Sequence, residues 1–233
     1  MNILGLIPAR GGSKGIPNKN RKVLNGKPLL QYTIEAALGS KLLNRVVFSS
    51  EDETLIELAR SMGAEVPFIR PSILSQDDSG TLEVVQHALK VLSCDGEKYD
   101  AVCLLQVTNP FRTSKFIDEA IKKFKNSHAD TLLSVLKVPH TYNPHWVFKV
   151  SKKGHIELVT GDKQIIKRRQ DLPITYHRDG AIYLVKADTI LNKNTLYGEM
   201  ISYIESNPEH QVNIDTAEDW EKAEIIAKSI NNL

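Results

Sequence analysis

Residues 2–20 read Asn2-Ile3-Leu4-Gly5-Leu6-Ile7-Pro8-Ala9-Arg10-Gly11-Gly12-Ser13-Lys14-Gly15-Ile16-Pro17-Asn18-Lys19-Asn20, an apolar run that passes straight into a turn of glycines and cations. Ile3–Ile7 is short, apolar and stopped by Pro8, the pattern of a strand buried on both faces. In a doubly wound α/β sheet ligands bind beyond the carboxyl ends of the strands, so the turn after this strand stands at the mouth of a site. Gly11, Gly12 and Gly15 permit close backbone approach and positive φ, leaving N–H groups to face an anion, while Arg10, Lys14 and Lys19 supply cations beside them. A triphosphate is what such a loop would hold. The spacing matches neither GxxxxGKS/T nor GxGxxG, which excludes the two familiar glycine loops. A solvated basic loop is the competing reading of the same residues.

Outward from this turn, strand-like runs alternate with stretches of helical period to about residue 137, the signature of a parallel sheet with crossover helices. Strands are predicted at Ile3–Ile7, Arg45–Ser49, Glu65–Ile69, Ala101–Gln106 and Thr131–Lys137, and helices at Leu29–Leu43, Glu53–Met62, Thr81–Leu92 and Ser114–Asn126. From about Pro139 to Tyr176 the chain changes character, with aromatic residues, prolines, two Lys/Arg clusters and short strand-like pieces at Trp146–Val150 and Ile156–Val159, and it reads as an excursion from the sheet. Apolar alternation resumes at Ala181–Val185 and Met200–Ile204, and Thr216–Ile230 closes the chain as an amphipathic helix. The expectation is one domain, 1–233, with an inserted arm at about 139–176.

Composition narrows the partners. Thirty Lys+Arg against 28 Asp+Glu leave a net charge of +2, too little for a general nucleic-acid or membrane binder. Cys94 and Cys103 lack metal-ligand spacing, and Cys103 lies in the apolar run Ala101–Leu105, where a buried free thiol is expected. Asn2–Pro8 lacks the features of a signal peptide and no apolar run approaches a membrane span, so a cytoplasmic location is expected.

Ile7-Pro8-Ala9-Arg10-Gly11-Gly12-Ser13-Lys14-Gly15 followed by Lys19-Asn20 closely resembles the N-terminal signature of the acylneuraminate cytidylyltransferases, also called CMP-sialic acid synthetases. The resemblance continues through Lys27-Pro28-Leu29, Arg70-Pro71 with Leu74 and Asp77, Leu104-Leu105-Gln106 with Pro110 and Arg112, Arg168-Arg169-Gln170-Asp171-Leu172-Pro173, Gly180-Ala181-Ile182-Tyr183 and Ile214-Asp215-Thr216. It spans nearly the whole chain, and as an ordered set these motifs are highly specific.

The resemblance implies a Rossmann-like nucleotide-diphospho-sugar transferase fold and a nucleotidyltransferase that joins CTP to an acidic nine-carbon sugar, giving the CMP-sugar and pyrophosphate. By similarity, Ala9, Arg10, Gly11, Gly12, Ser13, Lys14, Lys19, Asn20 and Arg70 would bind the nucleotide, and Ser79, Gly80 and Thr81 would lie where the cytosine edge is read; helix capping is an equal reading of Thr81. Gln106, Arg112, Asp179 and Tyr183 would face the sugar, with Arg112 open to a capping or pairing role. Arg168 and Arg169 would meet the acid, since a guanidinium fork matches a carboxylate, or form a solvated charge run. Their segment belongs in the family to an arm exchanged between subunits, which implies a homodimer. Asp215 matches a Mg²⁺ ligand, with N-capping of the last helix as the competing role.

Three departures matter. Val107-Thr108-Asn109-Pro110 replaces Pro-Thr-Ser-Pro; Asp179 replaces an asparagine near the sugar; and Asn213 replaces the first of two aspartates, which leaves an amide as the second candidate Mg²⁺ ligand. A carboxylate at 179 favours an acceptor that presents an amino group or donor hydroxyl, such as a diamino relative of sialic acid. The rival readings are a sugar-1-phosphate nucleotidyltransferase using GTP, UTP or CTP, and a non-catalytic nucleotide-binding protein, for which Asn213 is the motive.

Overall fold

In the computed structural model, which describes residues 1–94 and 96–231, the first strand, β1 (Ile3–Pro8), lies inside a 6-stranded sheet. Its residues explain its place: Ile3 and Ile7 enter one apolar cluster, Leu4 and Leu6 the cluster on the opposite face, and all four are fully buried. Next come the short ribbon β2 (Val23–Leu24) and β3 (Lys27–Pro28), helix α1 (Leu29–Leu38), strand β4 (Arg45–Ser49), helices α2 (Glu53–Ser61) and α3 (Thr81–Cys94), and strand β5 (Ala101–Leu104). The second half holds α4 (Ser114–Ser127), β6 (Thr131–Lys137), the hairpin β7 (Phe148–Val150) and β8 (Ile156–Leu158), β9 (Tyr176–Lys186), α5 (Ala187–Leu191), β10 (Ile201–Glu205) and α6 (Ala217–Asn231).

The strand order is β10-β6-β9-β5-β1-β4. β1 pairs in parallel with β4 and with β5, and β6 with β10, whereas β9 runs antiparallel between β5 and β6. The chain moves from β1 to β4 on one side and returns to β5 on the other. This reversal opens a crevice at the carboxyl ends of β1 and β5, where doubly wound sheets bind ligands. Because β9 runs against its neighbours, its N-terminal half reaches that same edge.

Helix starts follow their capping residues. Asp52 Oδ1 accepts from Leu55 N–H at 2.9 Å and Thr113 Oγ1 from Phe116 N–H at 3.1 Å. At α6 the cap is reciprocal, with Asp219 N–H donating to Thr216 Oγ1 at 3.2 Å and Thr216 N–H to Asp219 Oδ2 at 2.9 Å.

Two predicted elements differ. Glu65–Ile69 is not a strand; only Glu65 bridges to Val47, because Pro67 has no N–H to continue the ladder. Helix α1 stops at Leu38 rather than Leu43, and Ser40, Lys41 and Leu42 turn around the Asp118 carboxylate. The run 181–185 belongs to the longer β9. In β9 the pairing jumps from Leu133↔Tyr183 to Val135↔Arg178, so residues 179–182 form a wide bulge opposite Ser134. Ser134 stitches it: Ile182 N–H donates to Ser134 Oγ at 2.7 Å, and the hydroxyl meets Asp179 Oδ1.

Residues 138–175 leave the sheet and carry the separate β7–β8 hairpin, anchored where Trp146 Nε1–H donates to Ile166 O at 2.6 Å. No described helix is long and apolar enough to cross a membrane. Both cysteines are free; Cys103 is buried, and burial pushes its thiol up to about 12.

Candidate active site

The crevice at β1 and β5 contains a cavity of about 330 Å³. Its walls include Ala9, Arg10, Gly12, Ser13, Lys19 and Asn20 from the turn after β1, Arg70, Ser79, Gly80 and Thr81 from the segment leading into α3, and Gln106 and Asp215. Residues from the sequence's first third, from the end of β5 and from the start of α6 thus share one space. Gly12 has nothing within 4 Å of its missing Cβ, so the backbone there lies open to a ligand.

The turn is held differently from the sequence expectation. Gly11, Gly12 and Gly15 are not among the glycines with positive φ. Gly15 is instead required by close approach, because a Cβ there would lie 2.0 Å from the backbone oxygen of Asp215. The Gly11 N–H is already taken, donating to Glu51 Oε1 at 2.8 Å. Glu51 Oε2 also receives Arg70 Nη2 at 2.7 Å, and Arg70 donates to Ala9 O at 3.0 Å. Burial pushes the Glu51 carboxyl up, but the hydrogen bonds from Arg70 and Gly11 outweigh it and hold the group below the usual carboxylate range. Arg70 is therefore a buried brace of the loop as well as part of the cavity wall. Asn20 Nδ2 donates to Arg10 O at 2.9 Å and fixes the loop's return.

Arg10 and Lys14 are clasped across the cavity mouth by Asp77, at 2.9 and 2.6 Å. Lys14, burial notwithstanding, and then Arg10 hold the Asp77 carboxyl below its ordinary range. Asp77 occupies the cations that the sequence assigns to phosphate. Ser79 serves the same loop, its hydroxyl donating to Ile73 O at 2.8 Å and accepting from Gln76 N–H at 3.1 Å.

At the opposite wall, the buried Lys19 ammonium donates to Asp215 Oδ1 at 2.9 Å and to Ile214 O at 2.5 Å. With Thr216 and Asp219 capping α6, Asp215 is free of the capping role, and its side chain is 60% exposed. Asn213 Nδ2 donates to Asp215 Oδ2 at 2.6 Å while its own oxygen accepts from Asn109 Nδ2 at 3.2 Å. Asn213 thereby orients the carboxylate, and its oxygen is turned to Asn109 instead of the cavity. The described residues contain no cluster of three His, Cys, Asp or Glu that could hold a metal alone. An accessible carboxylate at the wall of the first cavity does fit Mg²⁺, which commonly takes one or two carboxylates with phosphate oxygens and water.

A second cavity, about 460 Å³, adjoins the first and shares Gln106 with it. Asp179 and Gly180 from the β9 bulge, Arg178 and Tyr183 flanking it, Gln211 and Asn213 are in its wall. Gly180 has φ +82, and a Cβ there would crowd Asn109 Nδ2 at 3.1 Å and Gln106 Oε1 at 3.3 Å. Asp179 is buried, its Oδ1 meeting Ser134 Oγ and accepting from Ala181 N–H at 3.0 Å, while Oδ2 has no partner among the described residues. Burial also raises the Tyr183 phenol.

Three residues expected at the sugar stand elsewhere. Arg112 is buried and donates to Ala181 O at 2.7 Å, Thr33 Oγ1 at 2.9 Å and Gln106 O, while its Nε has no partner among the described residues; desolvation lowers its guanidinium to about 10. Arg168 is closed on Asp171 by bonds of 2.7 and 3.0 Å, and Arg169 is exposed beside it; both lie on the 138–175 excursion and neither lines these cavities. Sequence reading missed Glu51, Asn109, Arg178 and Gln211. Two carried a local sign, Arg178 by preceding Asp179-Gly180-Ala181-Ile182-Tyr183 and Asn109 by standing in Val107-Thr108-Asn109-Pro110.

Known proteins resemble this chain along nearly its whole length. A pseudaminic acid cytidylyltransferase of Campylobacter jejuni is 35% identical over 228 residues, covering 98% of this chain and 97% of its own. A CMP-N,N'-diacetyllegionaminic acid synthase of Legionella pneumophila is 33% identical, covering 94% of each chain. Among solved structures, a CMP:2-keto-3-deoxy-manno-octonic acid synthetase complexed with CTP superposes with a TM-score of 0.71 over 100% of both chains at 16% identity, a likeness of fold. The profile of the cytidylyltransferases matches residues 4–230, and the chain belongs to that family of nucleotidyltransferases.

Proposed function

We propose that this enzyme transfers the cytidylyl group of CTP to the anomeric hydroxyl of a nonulosonic acid, releasing pyrophosphate and giving the CMP-sugar. The observation that carries the reading is the junction of the two cavities: Gln106 lines both, and the Asn213–Asp215 hydrogen bond runs from the wall of one to the wall of the other. The names of the relatives from C. jejuni and L. pneumophila supply the acceptor class.

The chemistry follows from the charges. CTP lies along the turn after β1, with Arg10, Lys14 and Lys19 against its phosphates once Asp77 releases the first two. Ser79, Gly80 and Thr81 meet the base, whose N4 donor and N3 and O2 acceptors suit hydroxyls and backbone groups. The sugar, seated against Gln106, Asp179 and Tyr183, directs its hydroxyl oxygen at the α-phosphorus; the new O–P bond forms as the bond to the β-phosphate oxygen breaks. The hydroxyl proton passes to water. Asp215 would hold Mg²⁺, with Asn213 orienting it, and the ion would neutralise charge on the phosphates. Positioning and electrostatic neutralisation by Lys19 and Arg10 do the rest. We also assign the 138–175 excursion, with Phe148, Val150 and Ile156 exposed, to a homodimer contact, and the enzyme to the cytoplasm.

Pyrophosphate release measured with CTP, UTP, GTP and ATP, against nonulosonic acids and against sugar 1-phosphates, with and without Mg²⁺, tests the reading. CTP with a nonulosonic acid and Mg²⁺ is the expected productive combination. Preference for a sugar 1-phosphate, or nucleotide binding with no turnover, overturns it.

A further inference from the structure

Every acceptor in the class just proposed carries a carboxylate, yet the arginines that the sequence offers for it do not line these cavities: Arg168 is spent on Asp171, Arg169 is exposed beside it on the excursion, and Arg112 is buried against two carbonyls and the Thr33 hydroxyl. The acceptor cavity nevertheless contains a guanidinium. Arg178 is exposed at its wall, next to the β9 bulge. Its Nη1 donates to Tyr183 Oη at 2.6 Å, the one hydrogen bond its guanidinium makes among the described residues. Tyr183 is itself buried, with its ring edge-on to Tyr197 at a centroid distance of 6.4 Å. A fixed phenol thus holds one corner of a planar fork and leaves the remaining N–H donors for a second partner, the geometry that carboxylates take up in bidentate fashion.

The other charges facing this cavity do not compete for that partner. Asp179 is buried, with Oδ1 on Ser134 and Ala181 and Oδ2 without a partner among the described residues, and Asp219 is occupied by the backbone N–H groups of Asp215 and Thr216. Lys222 and His177 are exposed and add no negative charge. The exposed charge at this wall that lacks an anionic partner is positive, on Arg178 and Lys222, and of the two Arg178 is the one held in place by a buried side chain.

We propose that Arg178 is the specificity residue that receives the acceptor's carboxylate, with Tyr183 positioning it; this rests on the nonulosonic acid reading above. The test measures acceptor KM and kcat for wild type, Arg178→Ala and Arg178→Lys at saturating CTP. The probes are N-acetylneuraminate, pseudaminic acid and N,N'-diacetyllegionaminic acid, together with the C1 amide of whichever acid turns over fastest. Wild type is expected to prefer acid over amide. Loss of one charge-assisted bidentate contact predicts a rise in acceptor KM on the order of 30-fold in Arg178→Ala, with CTP KM unchanged and the preference for acid over amide abolished. Arg178→Lys recovers part of both, and Tyr183→Phe lowers both acceptor binding and the preference for acid over amide, each less than Arg178→Ala does. An unchanged acceptor KM in Arg178→Ala, or equal losses for acid and amide, overturns the proposal and leaves the cytidylyltransferase reading intact. Wild type that turns over none of the acids overturns both. If Arg178→Ala fails to fold, Arg178→Gln, of similar reach and without charge, takes its place in the same comparison.

Discussion

Lys19 Nζ lies 2.9 Å from Asp215 Oδ1, an ion pair that ties the turn after the first strand to the residue before the last helix. Each member matters to the other. The ammonium is buried and needs the anion, and the carboxylate is exposed on its cavity side and can take up a further cation.

Lys19→Ala is expected to lower kcat/KM by on the order of 100-fold or more, as for loss of a preorganised charge at developing negative charge. Circular dichroism and CTP titration check that the loss lies in turnover. Full activity would remove Lys19 from the chemistry.

Asp215→Asn keeps the size of the side chain and the hydrogen bond to Lys19 but removes the charge. Turnover should fall by on the order of 100-fold and the Mg²⁺ concentration for half-maximal rate should rise, since one carboxylate is the protein's whole charge contribution to such a site. A variant with the wild-type Mg²⁺ dependence would place the ion elsewhere.

Asp77 should act as a stand-in for phosphate. Asp77→Asn frees Arg10 and Lys14, so pyrophosphate is expected to inhibit at a several-fold lower concentration, an effect that shrinks at high salt because the pairs are exposed. Weaker pyrophosphate inhibition would mean that Asp77 instead orders these cations for use.

Glu51 sets an acid limit on the nucleotide loop. Its carboxyl is held below the ordinary value in the folded protein, so its contribution is complete above the unfolded-state pKa and is lost as pH falls through the folded-state one. Glu51→Gln should weaken CTP binding near neutrality and flatten the decline of stability between about pH 5 and pH 3. Thermal midpoints across that range, compared with wild type, decide the matter.

Cys103 should be chemically silent. With its thiol raised to about 12 by burial, alkylation at pH 8 is expected at Cys94 alone until the protein unfolds. Mass spectrometry of briefly treated protein would reveal any reaction at Cys103.

The sheet was readable because β1, β4, β5 and β6 are short apolar runs with helical period between them, and because one glycine-and-cation turn marks the carboxyl edge. Pro67 in the run 65–69 was the legible warning that this stretch could not pair as a strand. Long-range geometry was not legible. Nothing local to Arg112 tells that Thr33 and Ala181, from distant segments, take up its donors, or that Asp77 folds back across the loop. The role of Thr216 was local and could have been read from Thr216-Ala217-Glu218-Asp219, a capping pattern that frees Asp215.

The bulge opposite Ser134 is stitched to β6 and lies on the one strand that opposes the direction of its neighbours. The loops that cradle the donor hang from the parallel strands β1 and β5, so the two half-sites are suspended from separate parts of the scaffold. Lengthening or rewriting residues 178–180 could therefore retune the choice of sugar without disturbing the grip on the nucleotide. That freedom sits at a single crease in one strand.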